Sequence, residues 1–214
     1  MDIRRINTAD LSRGSLHVRV VKVDSPTLLW VQFYHAREDL EELLEDLSRR
    51  MARRGRRLIH NPDRVLPDEY VAVYEGKTWQ RGVVMSLEGR DMVIVALKDW
   101  GRVIRRPITD MYILEDRFRE MDWQAIPCGL AHLGPVGLRP RWPRKSRALT
   151  RTLLGRREGW MRILEPVETY GAVITLNLRR ESEDEMGSLQ DLLIAMGCAQ
   201  RTDAKIVSAI PGIQ

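Results

Sequence analysis

The sequence predicts an α+β, mostly β chain, in which a small β-barrel is inserted between two flanks that fold together and a long helix joins the parts. Three observations predict it. From Glu69 to Arg106 short strand-like runs follow one another at regular spacing, separated by Gly76, Gly89 and Gly101, the pattern of a small barrel. A hairpin and a helix precede that stretch, and strands and a helix follow it. Neither flank is large enough for a core of its own, so the two are expected to pack together. The expected boundaries are 1–60, with the long helix at 38–54, then the barrel over 61–122, and the second flank over 123–214.

Each element has its own reason. His17 to Val23 alternates and is rich in valine, Asp24-Ser25-Pro26 is a turn, and Leu28 to Tyr34 is again strand-like, which together read as a hairpin. Over Glu38 to Arg54, Leu40, Leu43, Leu44, Leu47 and Met51 fall on one helical face. The first half of that helix is acidic and its last turns are basic, in line with the helix dipole, and Gly55 is the expected C-terminal cap. Asn61-Pro62-Asp63 breaks the chain. The barrel runs are Val71 to Tyr74, Trp79 to Ser86, Met92 to Leu97 and Arg102 to Arg106. Leu138 to Ser146, with two prolines among arginines, reads as a surface loop or linker. Met161 to Leu164 and Gly171 to Leu178 read as strands, and Glu181 to Glu185 as an acidic loop. Ser188 to Met196 reads as a short helix with Ser188 and Asp191 in capping-box spacing, stopped by Gly197.

Composition narrows the function classes. Of 214 residues, 43% are hydrophobic and 30% charged, enough apolar content for a core under a charged surface. No apolar run approaches the ~20 residues that cross a bilayer, and Met1 to Arg5 lacks the apolar stretch of a signal peptide. The chain reads as one domain of a longer protein. Cys128 and Cys198 have no CxxC spacing and no histidine cluster beside them, which suggests a reducing compartment and no metal site. His17, His35, His60 and His132 are dispersed, so no histidine-based nucleophile system is visible.

The net charge is +5, and only five of the 35 basic residues are lysine. Arginine clusters at 49–57 and 139–157 suit phosphate or carboxylate. The first reads either as a nucleic-acid contact or as a solvated helix end. Trp79 fits the core side of a strand, as do Trp30, Trp123 and Trp160. Trp142, between Arg141 and Pro143, is the tryptophan best placed to meet a partner.

The segments Ala72-Val73-Tyr74, Trp79-Gln80-Arg81-Gly82 and Asp99-Trp100-Gly101-Arg102, followed by Gln124 to Ala131 with Pro135 and by Gly187 to Gln200, occur in the order found in the extended Tudor domain. In that family a Tudor barrel is inserted into a staphylococcal-nuclease-like OB fold. The chain resembles it from about Val18 to Gln200. The resemblance implies a scaffold module of the piRNA pathway. Such a module binds symmetrically dimethylated arginine in peptides of Piwi/Argonaute-class proteins, in perinuclear cytoplasmic germ granules, with no cofactor. Four aromatic rings surround the guanidinium and an asparagine bonds it.

Carried over position by position, the family's cage falls on Tyr74, Gln80, Leu97 and Trp100, and its asparagine on Arg102. Two of the four rings are replaced. At ~0.5–2 kcal/mol per cation–π contact, the loss of two weakens methylarginine binding roughly tenfold to a few hundredfold. Arg102 adds a like charge. The expectation is therefore a degenerate cage that binds an arginine-containing peptide independently of methylation. In that case Gln80 serves as a hydrogen-bond partner for the five N–H donors of plain arginine, and Asp99 is either an accessory acid or a structural turn residue.

Three alternatives stay open. The cage is vestigial, with Tyr74 and Trp100 as core or rim aromatics, and the module contacts RNA through its arginines. The cage is vestigial and the module self-associates. Or the module reads dimethylarginine despite the altered positions. The carboxylate and arginine constellation of a staphylococcal-type nuclease has no match at corresponding positions, so no catalytic activity is expected.

Overall fold

The computed structural model of the protein describes residues 2–137, 141–178 and 187–202. Strands β1 (Leu16–Ser25) and β2 (Leu28–Phe33) precede helix α1 (Arg37–Arg54). Strands β3 (Tyr70–Glu75), β4 (Thr78–Glu88), β5 (Met92–Leu97), β6 (Arg102–Pro107) and β7 (Tyr112–Ile113) follow. Then come β8 (Ile126–Leu130), β9 (Leu133–Gly134), helix α2 (Arg144–Leu154), β10 (Glu158–Val167) and β11 (Gly171–Leu178). The last elements are β12 (Gly187–Ser188), helix α3 (Leu189–Ala195) and β13 (Gln200–Arg201).

The chain forms two compact units. One comprises 1–5 and 36–124, the other 6–35 and 125–214. The sequence reading groups α1 with residues 1–60, whereas by its contacts α1 belongs to the unit that carries β3 to β7. The cause is its apolar face. Leu40, Leu44, Leu47 and Met51 are buried together with Ala72, Leu114, Phe118 and Trp123, and each fully buried side chain of this size stabilises by about 1.5–3 kcal/mol.

Within that unit the sheet runs β6-β5-β4-β3-β7. Its interior face carries Val71, Val73, Val84, Val93, Val95, Leu97 and Ile104, the alternate residues of each strand. β3 and β4 join through Gly76 and Lys77, both at positive φ (59° and 75°), the two-residue turn whose twist matches paired strands. Gly82 faces the interior where a Cβ would come within 2.5 Å of Val95 Cγ1, so only glycine fits.

In the other unit β1 pairs with β2 and β10, β2 with β8, β8 in parallel with β11, and β11 with β10. These five strands close on themselves, which removes sheet edges. The order is that of an OB-type barrel, as expected from the two flanks. Cys128 and Cys198 are both free and buried here, and burial alone pushes the Cys128 thiol well above its ordinary range.

Two expectations need correction. Leu138 to Ser146 is not loop throughout, because α2 begins at Arg144. Its buried residues are Ser146, Thr150 and Leu154, a helical stripe hidden from hydrophobic periodicity because two of the three are polar. Gly55 is the C-terminal cap of α1, as expected, its N–H bonding the Met51 carbonyl, but without a left-handed conformation: its φ and ψ are −50° and −43°, and the helix tightens into a 3-10 turn over Gly55–Arg57. β8 was not expected as a strand. The acidic loop at Glu181 to Glu185 lies outside the described residues.

Candidate functional site

The candidate residues lie where the β3–β4 and β5–β6 hairpins end. The register pairs Val73 with Gln80 and Leu97 with Arg102. Opposed residues share a face, so Gln80, Leu97 and Arg102 continue the interior face to the mouth of the sheet. Tyr74 pairs with Trp79 and therefore sits on the opposite face. There its ring meets the Trp79 ring edge-on at 5.5 Å, and Trp79 meets Tyr112 at 4.9 Å.

Gln80 is only 8% exposed. Its Oε1 accepts a hydrogen bond from Trp100 Nε1 at 2.7 Å, and its Nε2 donates to Thr78 Oγ1 at 2.6 Å. The amide thus fixes the indole of Trp100, which is itself half-buried against both cores of the unit. Leu97 is fully buried and belongs to the sheet interior. Arg102 donates from Nη2 to Glu75 Oε1 at 3.1 Å, and Arg106 also forms an ion pair with Glu75. One carboxylate, 14% accessible at its side chain, therefore neutralises part of the positive charge at the mouth.

Asp99 is not at the surface. It is 1% exposed and receives both Arg81 Nε and Nη2 at 2.8 Å, as well as the backbone N–H of Gln124 at 3.1 Å. Arg81 is fully buried and also donates to the carbonyls of Phe118, Met121 and Asp122. Its guanidinium lies 4.9 Å from the Trp123 ring centroid. A bidentate fork with every donor used is the arrangement that makes a buried charge tolerable. It ties the turn bearing Trp100 to the segment leaving the sheet. These contacts give Asp99 the structural turn role that the sequence left open beside the accessory one.

Lys98, next to Asp99, has its amine pushed down to about 8, chiefly by burial and further by the charge of Arg5, with Asp68 opposing. Among the described residues no group of three or more His, Cys, Asp and Glu is placed to hold a metal, and no helix is long and apolar enough to cross a membrane.

The Tudor domain model matches residues 14–132, more than half of the chain. The chain belongs to the Tudor domain family. Tudor domains are interaction modules rather than enzymes. Rat Tudor domain-containing protein 5 is 28% identical over 127 residues, which is 56% of this chain and 13% of that protein. Mouse RING finger protein 17 is 32% identical over 77 residues, 36% of this chain and 5% of that protein. The chain thus spans a small fraction of the length of the curated relatives it matches.

Among solved structures, the extended Tudor domain TD3 of mouse TDRD1 in complex with a MILI peptide containing dimethylarginine superimposes with a TM-score of 0.82 at 17% identity, covering 94% of this chain and 100% of that one. The Drosophila melanogaster Papi extended Tudor domain gives 0.78 at 20% identity, covering 88% and 100%. A variant of that Papi domain in complex with an unmethylated Piwi N-terminal peptide gives 0.77 at 19%, covering 88% and 100%. The fold is that of an extended Tudor domain, a mostly β architecture with a five-stranded barrel.

In this Tudor chain the structure brings Gln80 and Trp100 into contact. It places Leu97 and Arg102 on the same interior face, and it leaves Tyr74 on the other face with Trp79. The sequence reading missed Glu75 and Thr78 as partners at the mouth. Their signal was present only as hairpin neighbours, two residues from Lys77 and Gln80 respectively.

Proposed function

We propose that the Tudor barrel of this protein binds an arginine-containing peptide of a partner, a Piwi-class tail, independently of arginine methylation. The observation that carries this reading is the Gln80–Trp100 hydrogen bond. Gln80, at a position expected to carry a ring, holds the Trp100 indole in a fixed orientation.

On this reading the guanidinium stacks on the Trp100 indole, a contact of ~0.5–2 kcal/mol. Gln80 Oε1 retains a second lone pair for an N–H of the ligand. Glu75 tempers the repulsion from Arg102. The Tyr74 ring, 53% exposed, meets flanking peptide residues and not the guanidinium itself. Methyl groups gain little, because their favourable contacts come from enclosing rings, and Gln80 and Leu97 supply none.

Proteins of the same fold support the ligand class. Mouse TDRD1 binds a dimethylarginine MILI peptide, human TDRD1 a symmetrically dimethylated peptide, and the Papi variant both methylated and unmethylated Piwi peptides. The setting proposed with this ligand is the piRNA pathway, in perinuclear germ granules of the cytoplasm.

Isothermal titration with paired peptides, identical except for symmetric dimethylation of one arginine, tests the reading. The expected dissociation constants agree within about threefold. A preference for the dimethylated peptide of tenfold or more would show that the mouth still works as a methylarginine cage.

A further inference from the structure

The C-terminal end of α1 concentrates charge that no ion pair among the described residues answers. Arg53 and Arg54 close the helix and Arg56 and Arg57 lie in the 3-10 turn after it, and all four are exposed. Among the described residues none of the four forms an ion pair. The neighbouring arginines behave differently. Arg49 reaches Asp46 at 3.8 Å, Arg50 Nε donates to Glu115 Oε2 at 2.6 Å, and Arg117 pairs with Asp46 at 2.9 Å. Glu115 is already committed. Its carboxyl is held below the usual range first by the hydrogen bond from Arg50, then by the charges of Arg50, Arg117 and Arg54.

The four guanidinium groups arise from five successive residues. At about 1.5–2 Å of rise per residue, their backbone positions span less than about 10 Å. The partial negative charge of the helix C-terminus is equivalent to roughly half an elementary charge, too little to offset four cations. The segment also offers a protein partner no apolar or aromatic anchor. Between buried Met51 and half-buried Leu58 its residues are Ala52, the four arginines and Gly55, with no apolar or aromatic anchor of the kind that dominates protein interfaces. A dense, exposed set of planar donor forks matches closely spaced phosphates.

We propose that the Arg53–Arg57 corner binds the phosphodiester backbone of nucleic acid without reading its bases. This surface uses none of the residues at the barrel mouth, so it stands or falls separately from the peptide reading.

Fluorescence anisotropy of the full chain with a labelled uridine oligomer, a labelled duplex and a polyglutamate peptide tests the proposal. Four phosphate contacts give a slope of log K against log salt of about −3 for a single strand. Affinity for the uridine oligomer then falls roughly fiftyfold between about 50 and 200 mM salt. The slope for the duplex is steeper, about −3.6. The combined Arg53→Ala, Arg54→Ala, Arg56→Ala and Arg57→Ala variant is expected to lose most of the binding and to bring the slope towards zero. The same four changed to Lys keep the slope, a control that holds charge while removing the fork. Three results would overturn the proposal: no binding at about 50 mM salt, an unchanged slope in the folded alanine variant, or polyglutamate bound more tightly than either nucleic acid.

Discussion

Trp100 donates its indole N–H to Gln80 at 2.7 Å, and Gln80 is almost entirely buried while it accepts. An indole held this way has one orientation and needs no reordering when a ligand stacks on it, which reduces the entropic cost of binding. Trp100→Ala is expected to abolish peptide binding. Gln80→Leu is expected to leave the indole N–H without its partner, costing about 1–3 kcal/mol of stability, with a weaker loss of peptide affinity through a mobile ring. Urea unfolding and calorimetry on the same variants separate the two effects. Gln80→Tyr restores a ring at this position, and the dimethylated peptide is expected to gain roughly twofold to thirtyfold over the unmodified one.

The Arg81–Asp99 pair makes a different prediction, one about stability. Both side chains are buried, and the guanidinium also satisfies three carbonyls of the segment from Phe118 to Asp122. Asp99→Asn leaves a buried cation without its counter-charge, and a loss of about 3–5 kcal/mol is expected in denaturant unfolding. Arg81→Lys is expected to cost a comparable amount, because an ammonium cannot supply the fork. If the Asp99→Asn variant unfolds at the same urea concentration as the parent, the pair is not the anchor described.

How far the sequence carries depends on whether a contact is local. The barrel strands and α1 follow from alternation and helical spacing, and the glycines mark most of the turns. Helix α2 escaped because two of its three buried positions are Ser146 and Thr150, which a hydrophobic count does not register. The candidate positions themselves came from a family resemblance. What each side chain does there came from partners that no local pattern links: Gln80 with Trp100 twenty residues on, Arg81 with Asp99 eighteen residues on, and Glu75 with Arg102 and Arg106. The face occupied by Tyr74 is legible, since Val71 and Val73 alternate with it.

Glu75 decides how Arg102 acts on an incoming arginine. With the carboxylate in place, the charge at the mouth is partly neutralised. Glu75→Gln removes the only acid that the described ion pairs give to Arg102 and Arg106. Peptide affinity is expected to fall roughly tenfold at low salt, and the loss should shrink as salt screens the exposed charges. A salt series by calorimetry reads this directly. The opposite sign, tighter binding in the variant, would mean that Glu75 does not support binding of the cationic side chain.

Lys98 adds a pH dependence whose sign can be worked out. Its amine titrates near 8 in the folded chain, because burial opposes the charged form, against the ordinary 10.5. Below about pH 8 both folded and unfolded chains carry the proton, and the full penalty of burying the charge is present. Between about 8 and 10.5 the unfolded chain binds more protons than the folded one, so stability rises with pH. Tyr70, whose hydroxyl is pushed above its usual 10.0 mainly by burial, acts in the opposite direction at the top of this window. The cleanest reading is therefore a comparison between wild type and Lys98→Met over about pH 7 to 10. The variant is expected to be more stable near neutrality and to lack the rise, and equal pH profiles of the two proteins would remove Lys98 from the account.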